Sequence, residues 1–151
     1  FQTGVRTFEA ASILKREGAD TTLVRQLFRD DHSTFIYKAG VIKTSKIIKD
    51  KIAIGILEEE LDNGVLVAAQ SADELLEINK VKASFVLAPS NERIHISGRS
   101  LGDISVQLIL ESLGGGGHLT SAGVQLSNVS MEDAVKLLED AIDKYFEEGE
   151  S

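Results

Sequence analysis

The segment Gly114-Gly115-Gly116-Gly117-His118 contains the residue types in this 151-residue chain that are best suited to binding an anion. Glycines carry no side chain, so a ligand can approach the backbone closely and several N–H groups can point toward an anion. His118 adds a side-chain donor that is positively charged when protonated. The alternative is a helix stop followed by a flexible link. The pattern fits neither a Walker loop nor a dinucleotide-binding fingerprint.

A second candidate is the segment Ser97-Gly98-Arg99-Ser100, which lies at the end of a predicted strand. The guanidinium of Arg99 offers a fork of donors that matches phosphate oxygens, and Ser97 and Ser100 are small hydroxyl donors. An arginine at a strand end is, taken alone, more often a solvated side chain. The glycine segment that follows gives the binding interpretation more weight.

The strand that leads to Arg99 has one polar face. Side chains alternate along a strand, so Arg93, His95, Ser97 and, if the strand continues, Arg99 share a face while Ile94 lies on the other. This polar face is predicted to be either exposed to solvent or the floor of a ligand site.

The segment Asp30-Asp31-His32-Ser33 contains residue types that bind divalent metals. Neighbouring side chains at a helix end diverge, however, and helix capping explains Asp31 and Ser33 more simply. We therefore predict no metal site in this chain.

Composition narrows the range of functions. The chain contains no cysteine, which excludes disulfides and thiolate chemistry. Its formal net charge of -8 opposes loose binding to long nucleic acids. Because no apolar run approaches the roughly 20 residues that a bilayer span needs, a soluble, cytoplasmic chain is expected.

Hydrophobic spacing predicts helices at residues 7–17 and 20–28, and a helical connector over residues 33–50. The aliphatic run in residues 51–58 is typical of a buried strand, and residues 65–78 have helical spacing. Residues 82–88 and 92–97 flank a turn at Pro89-Ser90-Asn91 and so predict a hairpin.

The rest of the chain predicts an apolar helix capped by Asp103, a short strand at residues 124–126 and an amphipathic helix that opens at Ser130. Strands that alternate with helices, together with a hairpin, indicate an α/β fold. We expect a mixed sheet of about four to five strands with flanking helices, preceded by a helical extension.

The order of these motifs resembles a known family. Ser-Gly-Arg-Ser, a short apolar helix and then GGGGHLTSAG resemble the DHH-associated domain of the DHH phosphoesterase superfamily. The opening TGVRTFEAASILKREGAD, with VRQLF after it, resembles the end of the DHH domain in GdpP-type cyclic-di-AMP phosphodiesterases. The resemblance therefore covers nearly the whole chain.

The resemblance implies that the intact protein hydrolyses cyclic di-AMP to linear di-adenylate. It implies two divalent metals, usually manganese, in an upstream DHH domain whose ligands this chain lacks. Phosphate binding then falls to the glycine-histidine segment, with Arg99 and Ser100 beside it. The isolated chain is expected to be inactive.

The resemblance also implies a division of the chain and a set of partners. Residues 1–32 would form the C-terminal end of the DHH domain, residues 33–50 a helical connector, and residues 51–148 the DHH-associated substrate-binding domain. The expected partners are cyclic di-AMP or linear di-adenylate, the upstream DHH domain and, as a further candidate, a second copy of the chain. A membrane anchor is implied for the intact protein.

Three alternatives stay open. The chain could belong to an oligoribonuclease of the same superfamily, because the glycine-histidine segment is shared across those enzymes. It could be a nucleotide-binding module without catalysis. An associated domain of an alanyl-tRNA synthetase is disfavoured by the acidic charge and the DHH-like opening.

Overall fold

The computed structural model of the chain describes residues 32–150. The contacts between residues place a boundary between Phe35 and Ile36. The fold is that of the unit that begins at Ile36. The predicted helices at residues 7–17 and 20–28, and the predicted DHH-domain end at residues 1–32 apart from His32, lie outside the described residues. The helices are α1 (His32–Lys43), α2 (Gly64–Leu75), α3 (Val106–Glu111) and α4 (Met131–Glu150). The strands are β1 (Lys46–Ile48), β2 (Ile52–Ile56), β3 (Ala83–Ser90), β4 (Arg93–Ser100), β5 (Gly116–His118) and β6 (Ser121–Ser127).

The strands form one six-stranded sheet in the order β1-β2-β3-β4-β6-β5. Strands β2 and β3 are parallel, and every other neighbouring pair is antiparallel. The predicted α/β fold with a mixed sheet and flanking helices is thus confirmed. The sheet has more strands than the four to five expected, because the three-residue edge strands β1 and β5 were not recognised in the sequence.

The sheet has a hydrophobic core on each face. Side chains of β2, β3, β4 and β6 pack on one face with α3 and α4, around Phe85, Ile96 and Leu110. On the other face, α2 packs over β2 and β3 through Val67 and Leu75. Strands β2 and β3 are therefore covered on both sides, which is why their sequences are almost continuously apolar.

The hairpin between β3 and β4 has a tighter turn than the sequence predicted. Pro89 and Ser90 belong to β3, and the turn consists of Asn91 and Glu92, which have φ angles of 50° and 65°. Positive φ at both central residues is typical of a type I′ turn, whose twist matches a hairpin. Proline is tolerated in β3 because the ladder with β2 ends at Leu87, so that no neighbour there needs its N–H.

The predicted helical connector over residues 33–50 is only partly helical. Helix α1 ends at Lys43, and residues 46–48 pair with β2 as an edge strand. Residues 49–51 join the two strands, and Lys49 and Asp50, with φ angles of 52° and 60°, are the central residues of a tight turn in which the N–H of Lys51 donates to the carbonyl of Ile48 over 3.2 Å. Helical spacing counted Lys46 as part of a helix face, whereas strand pairing with β2 determines its conformation.

Helix α4 starts as predicted: the backbone N–H of Asp133 donates to Ser130 Oγ over 3.1 Å. Its buried stripe includes Ala134, Leu138 and Ile142, whereas Leu137 is 39% exposed. Among residues 32–150, no helix is both long and apolar enough to cross a membrane.

Candidate functional site

Arg99 on β4 and His118 on β5 lie in the same transverse row of the sheet. Both pair with Ser121 of β6, the strand between them. Side chains of directly paired residues project from the same face. Two strand spacings separate the Cα atoms of Arg99 and His118 by about 10 Å. The structure therefore brings together the guanidinium of Arg99 and the imidazole of His118, two donors that the sequence placed in separate segments.

The row lies on the face that α2 partly covers. Ser84 of β3 continues the row beyond Arg99, and its hydroxyl donates to the carbonyl of Ala72 in α2 over 2.6 Å. Helix α2 covers this end of the row, whereas His118 at the other end is exposed. The row thus runs from the part of the sheet that α2 covers to the edge strand β5.

Arg99 is held in place by two contacts. Its Nε lies 3.3 Å from Oδ1 of Asp73 in α2, and its Nη1 donates to the carbonyl of Gly98 over 2.8 Å. The side chain is 21% exposed. The Nη2 amino group takes part in neither contact, so part of the donor fork can face an anion.

The glycine segment is divided between a helix end and a strand. The N–H of Gly115 donates to the carbonyl of Leu110 over 2.8 Å, and the N–H of Gly114 donates to that of Glu111 over 3.0 Å. Gly114 has a φ of 96°. These are the two bonds of a Schellman motif at the end of α3, with glycine in the left-handed position. For Gly114 and Gly115 the helix-stop alternative therefore describes the structure, and their N–H groups are not available to an anion.

Gly116 and Gly117 form the start of β5 and have opposite environments. A Cβ at Gly117 would lie 2.5 Å from the Cα of Ala122, and the φ of Gly117 is 147°. Among residues 32–150, a Cβ at Gly116 would meet nothing within 4 Å apart from its own chain neighbours. Gly117 is therefore needed for packing on β6, whereas Gly116 leaves an open place on the face that carries His118.

Ser100 does not join this row. It follows Arg99 directly and so projects from the opposite face, where it is buried. Its hydroxyl donates to the carbonyl of Leu119 over 3.2 Å and accepts from the N–H of Gly102 over 3.3 Å. Its bonds tie the end of β4 to the residue after His118, so that Ser100 positions the segment and does not face the same ligand as Arg99.

His95 also belongs to this face, four residues before Arg99 on β4. Its Nε2 lies 3.1 Å from Oγ of Ser97, while its Nδ1 is buried and has no hydrogen-bond partner among the described residues. Burial first, and then the positive charge of Arg99, hold the pKa of His95 below its usual range. Protonation of Nδ1 would bury an N–H group that has no acceptor, so the ring stays neutral near neutral pH.

Sequence reasoning missed three contributors to this face. Ser121 and Gly123 lie on β6, of which the sequence predicted only residues 124–126 as strand. Asp73 lies on α2, and no local pattern linked it to Arg99. His95 was placed on the correct face by alternation alone, but its buried nitrogen depends on tertiary packing.

The described residues do not assemble a metal centre. Within residues 32–150, no group of three or more His, Asp or Glu side chains is placed to hold a metal ion. Asp30 and Asp31 of the segment considered in the sequence lie outside this range.

Comparison with known proteins shows one family. The family profile of the DHHA1 domain matches residues 43–148. The cyclic-di-AMP phosphodiesterase GdpP of Bacillus subtilis (strain 168) is 47% identical over 152 residues, covering 98% of this chain and 23% of that protein. The cyclic-di-AMP phosphodiesterase PdeA of Listeria monocytogenes serotype 1/2a (strain 10403S) is 45% identical over 146 residues, covering 96% and 22%. The chain thus spans less than a quarter of the length of these relatives.

Among solved structures, an exopolyphosphatase-related protein from Bacteroides fragilis is similar with a TM-score of 0.75 and 26% sequence identity. The similarity covers 91% of this chain and 43% of that protein. The sequence similarity to the two phosphodiesterases therefore extends over nearly the whole chain.

Proposed function

The chain belongs to the DHHA1 domain family, as its sequence predicted, and from that premise we propose that it is the substrate-binding part of a cyclic-di-AMP phosphodiesterase. The observation that carries the proposal is the row of Arg99, Ser121 and His118 on a partly open sheet face. In the intact protein the reaction is hydrolysis of cyclic di-AMP to linear di-adenylate.

The chain contributes donors to the phosphate groups of the nucleotide. The free part of the Arg99 guanidinium and the exposed imidazole of His118 approach the ligand from two strands. Hydrogen bonds to charged groups contribute about 1.5–3 kcal/mol each. Gly116, where no side chain intervenes, lets the phosphate approach the backbone of β5. The roles of Gly114, Gly115 and Gly117 are to end α3 and to seat β5 on β6.

The hydrolytic step belongs to another segment of the intact protein. Metal-activated water requires divalent ions held by carboxylate and imidazole ligands. Residues 32–150 do not offer such a ligand set. This chain therefore binds and orients the substrate.

We retain the assignment of residues 1–32 to the end of a DHH domain and of residues 51–148 to the substrate-binding domain. The family match from residue 43 and the pairing of β1 with β2 support including residues 43–50 in the latter. The substrate class is supported by relatives at 45–47% identity that are named cyclic-di-AMP phosphodiesterases. The net charge of -8 disfavours a long nucleic acid as substrate.

The test is a titration of the 151-residue chain, followed by NMR, with cyclic di-AMP, linear di-adenylate and a short RNA. We expect the two dinucleotides to shift the amide signals of Gly116, His118 and Arg99. Preferential binding of short RNA at the same signals would favour the oligoribonuclease alternative. No shift with any ligand would contradict a binding role for this face.

The second test measures hydrolysis by the intact protein with manganese present, using cyclic di-AMP and short RNA as competing substrates. We expect turnover of cyclic di-AMP by the intact protein and none by the 151-residue chain. Turnover by the pure chain would overturn the division of roles. Absence of metal-dependent turnover by the intact protein would favour a nucleotide-binding module.

A further inference from the structure

The imidazole of His95 leans along the sheet toward the row of Arg99 and His118. His95 lies four residues from Arg99, a Cα distance of about 13 Å along an extended strand. Its Nε2 reaches the hydroxyl of Ser97, which is two residues closer to Arg99. The ring therefore lies over the row of residues next to the phosphate-binding row.

The adjacent row has almost no side chains of its own. Ser97 pairs with Gly123, and Gly123 pairs with Gly116. A Cβ at Gly123 would lie 3.3 Å from Cε1 of His95 and 3.6 Å from its Nε2. The ring of His95 thus occupies the space that a side chain at position 123 would fill, while the place above Gly116 stays open.

The position of the ring is fixed from the protein side. Nδ1 is buried, and Nε2 is bonded to Ser97, whose own side chain is 3% exposed. Burial and Arg99 keep the ring in its neutral form. His95 is nevertheless only partly buried. The result is a neutral aromatic ring, held in one orientation and placed one row away from the side-chain donors of Arg99 and His118.

This arrangement matches the two chemically different ends of a nucleotide. In a nucleotide, the ribose separates the base from the phosphate. The two neighbouring rows of residues are likewise separated, by about 7 Å, which is the spacing of alternate residues along a strand. Proteins that bind nucleotides commonly stack the base on an aromatic ring while cations hold the phosphate. The ring of His95 fills the space above Gly123, so the open place above Gly116 is the one that leaves room for the sugar.

We propose that His95 is the stacking surface for a purine base of the bound nucleotide, with Gly123 making room for the ring and Arg99 and His118 holding the phosphate. The proposal rests on the function proposed above and adds the base-binding residue, which that function leaves open. His95 acts here as a specificity-determining residue for nucleotides over base-free sugar phosphates.

The experiment compares two ligands, linear di-adenylate and ribose 5-phosphate, which carries a phosphate but no base. Each is titrated by NMR into the wild-type chain and into the His95→Ala, His95→Phe and His118→Ala variants. We expect His95→Ala to weaken di-adenylate binding on the order of tenfold, within the range for base–aromatic stacking, and to leave ribose 5-phosphate binding unchanged. His95→Phe should retain most of the affinity, because it preserves an aromatic ring.

A direct readout accompanies the affinities. Stacking places the His95 ring protons in the ring current of adenine, so di-adenylate should shift them upfield and ribose 5-phosphate should not. The amide spectrum of each variant verifies that it is folded. Because His95→Phe fills the same space, it keeps the test decisive even if His95→Ala loosens the sheet.

The outcomes separate this inference from the proposed function. If His95→Ala weakens both ligands equally, or neither, or if His95→Phe loses as much affinity as His95→Ala, the base-stacking role is overturned while phosphate binding stands. If the wild-type chain binds neither ligand, or His118→Ala leaves both affinities unchanged, the failure lies in the proposed phosphate site.

Discussion

Arg99 and His118 are 19 residues apart in the sequence, yet both pair with Ser121 and point from the same face of the sheet. Strand β6 lies between them, so their Cα atoms are about 10 Å apart. Arg99 is anchored by Asp73 and Gly98, whereas His118 is exposed on an edge strand. A ligand that contacts both must lie across β6.

Replacing either member of this pair should weaken phosphate binding. We expect His118→Ala to lower the affinity for linear di-adenylate about 10- to 150-fold, because a hydrogen bond to a charged group is worth about 1.5–3 kcal/mol. Arg99→Lys should also weaken binding, since an ammonium group cannot reproduce the fork of donors. Isothermal titration of the chain with di-adenylate measures both effects.

Arg93→Gln is the matched control for these variants. Arg93 lies on the same strand and face as Arg99, about 20 Å away, and its Nη1 donates to Gln125 over 3.2 Å. Its loss should leave the affinity nearly unchanged. If Arg93→Gln weakened binding as much as Arg99→Lys does, the effect would reflect the overall charge of the face and not a local site.

Gly116 and Gly117 should respond differently to the same substitution. Gly116→Ala adds a methyl group that meets no other part of the described chain within 4 Å, so stability should change little while di-adenylate binding weakens. Gly117→Ala forces a Cβ to within 2.5 Å of Ala122 at a φ of 147°, which should cost about 1–3 kcal/mol of stability. Thermal unfolding and di-adenylate titration of both variants check this pair.

Unchanged di-adenylate affinity in Gly116→Ala would show that no ligand approaches the backbone at this position. A Gly117→Ala variant as stable as the wild type would show that β5 can move away from β6 without cost.

The sequence predicted the α/β fold because its signals are local. Alternation along β4 placed His95 and Arg99 on one face, and the aliphatic run of β2 indicated a strand buried on both sides. Helix α4 begins at a capping serine that the sequence identified. Each of these features depends on residues within one element.

The features that the sequence could not predict depend on contacts between elements. Strand β1 forms because β2 offers a free edge, not because Lys46–Ile48 has a strand pattern. The division of the glycine segment depends on where α3 ends, and the side on which Ser100 projects depends on β4 continuing to that residue. Asp73 meets Arg99 only after α2 has packed over the sheet.

The negative charge of the Asp73 carboxylate should weaken the binding of an anion at Arg99. Its carboxylate lies 3.3 Å from Nε of Arg99 and is 53% exposed, so the ion pair contributes only about 0–1 kcal/mol to stability. Asp73→Asn keeps the size of the side chain and removes a negative charge beside the phosphate. We expect a few-fold higher affinity for di-adenylate, measured at two salt concentrations, with little change in the melting temperature.

Glu77→Gln is the control for Asp73→Asn, since Glu77 lies just after α2 and is exposed. It should leave the affinity unchanged. Weaker binding in Asp73→Asn would mean that the carboxylate orients the guanidinium and that this orientation outweighs the repulsion.

Because of His95, the stability of the fold should fall as the pH is lowered. Burial and the charge of Arg99 lower the pKa of His95 in the folded chain below its usual value of 6.5. Between these two pKa values the unfolded chain binds more protons than the folded chain, so the free energy of unfolding rises with pH. The stabilising contribution of His95 is complete above about pH 6.5 and is lost as the pH falls toward the pKa of His95 in the folded chain.

Proton NMR should show His95 titrating below its usual pKa, and urea unfolding of His95→Phe should lack this part of the pH dependence. A His95 that titrates at or above 6.5 would show that the ring is solvated and would remove the physical basis for its neutral form.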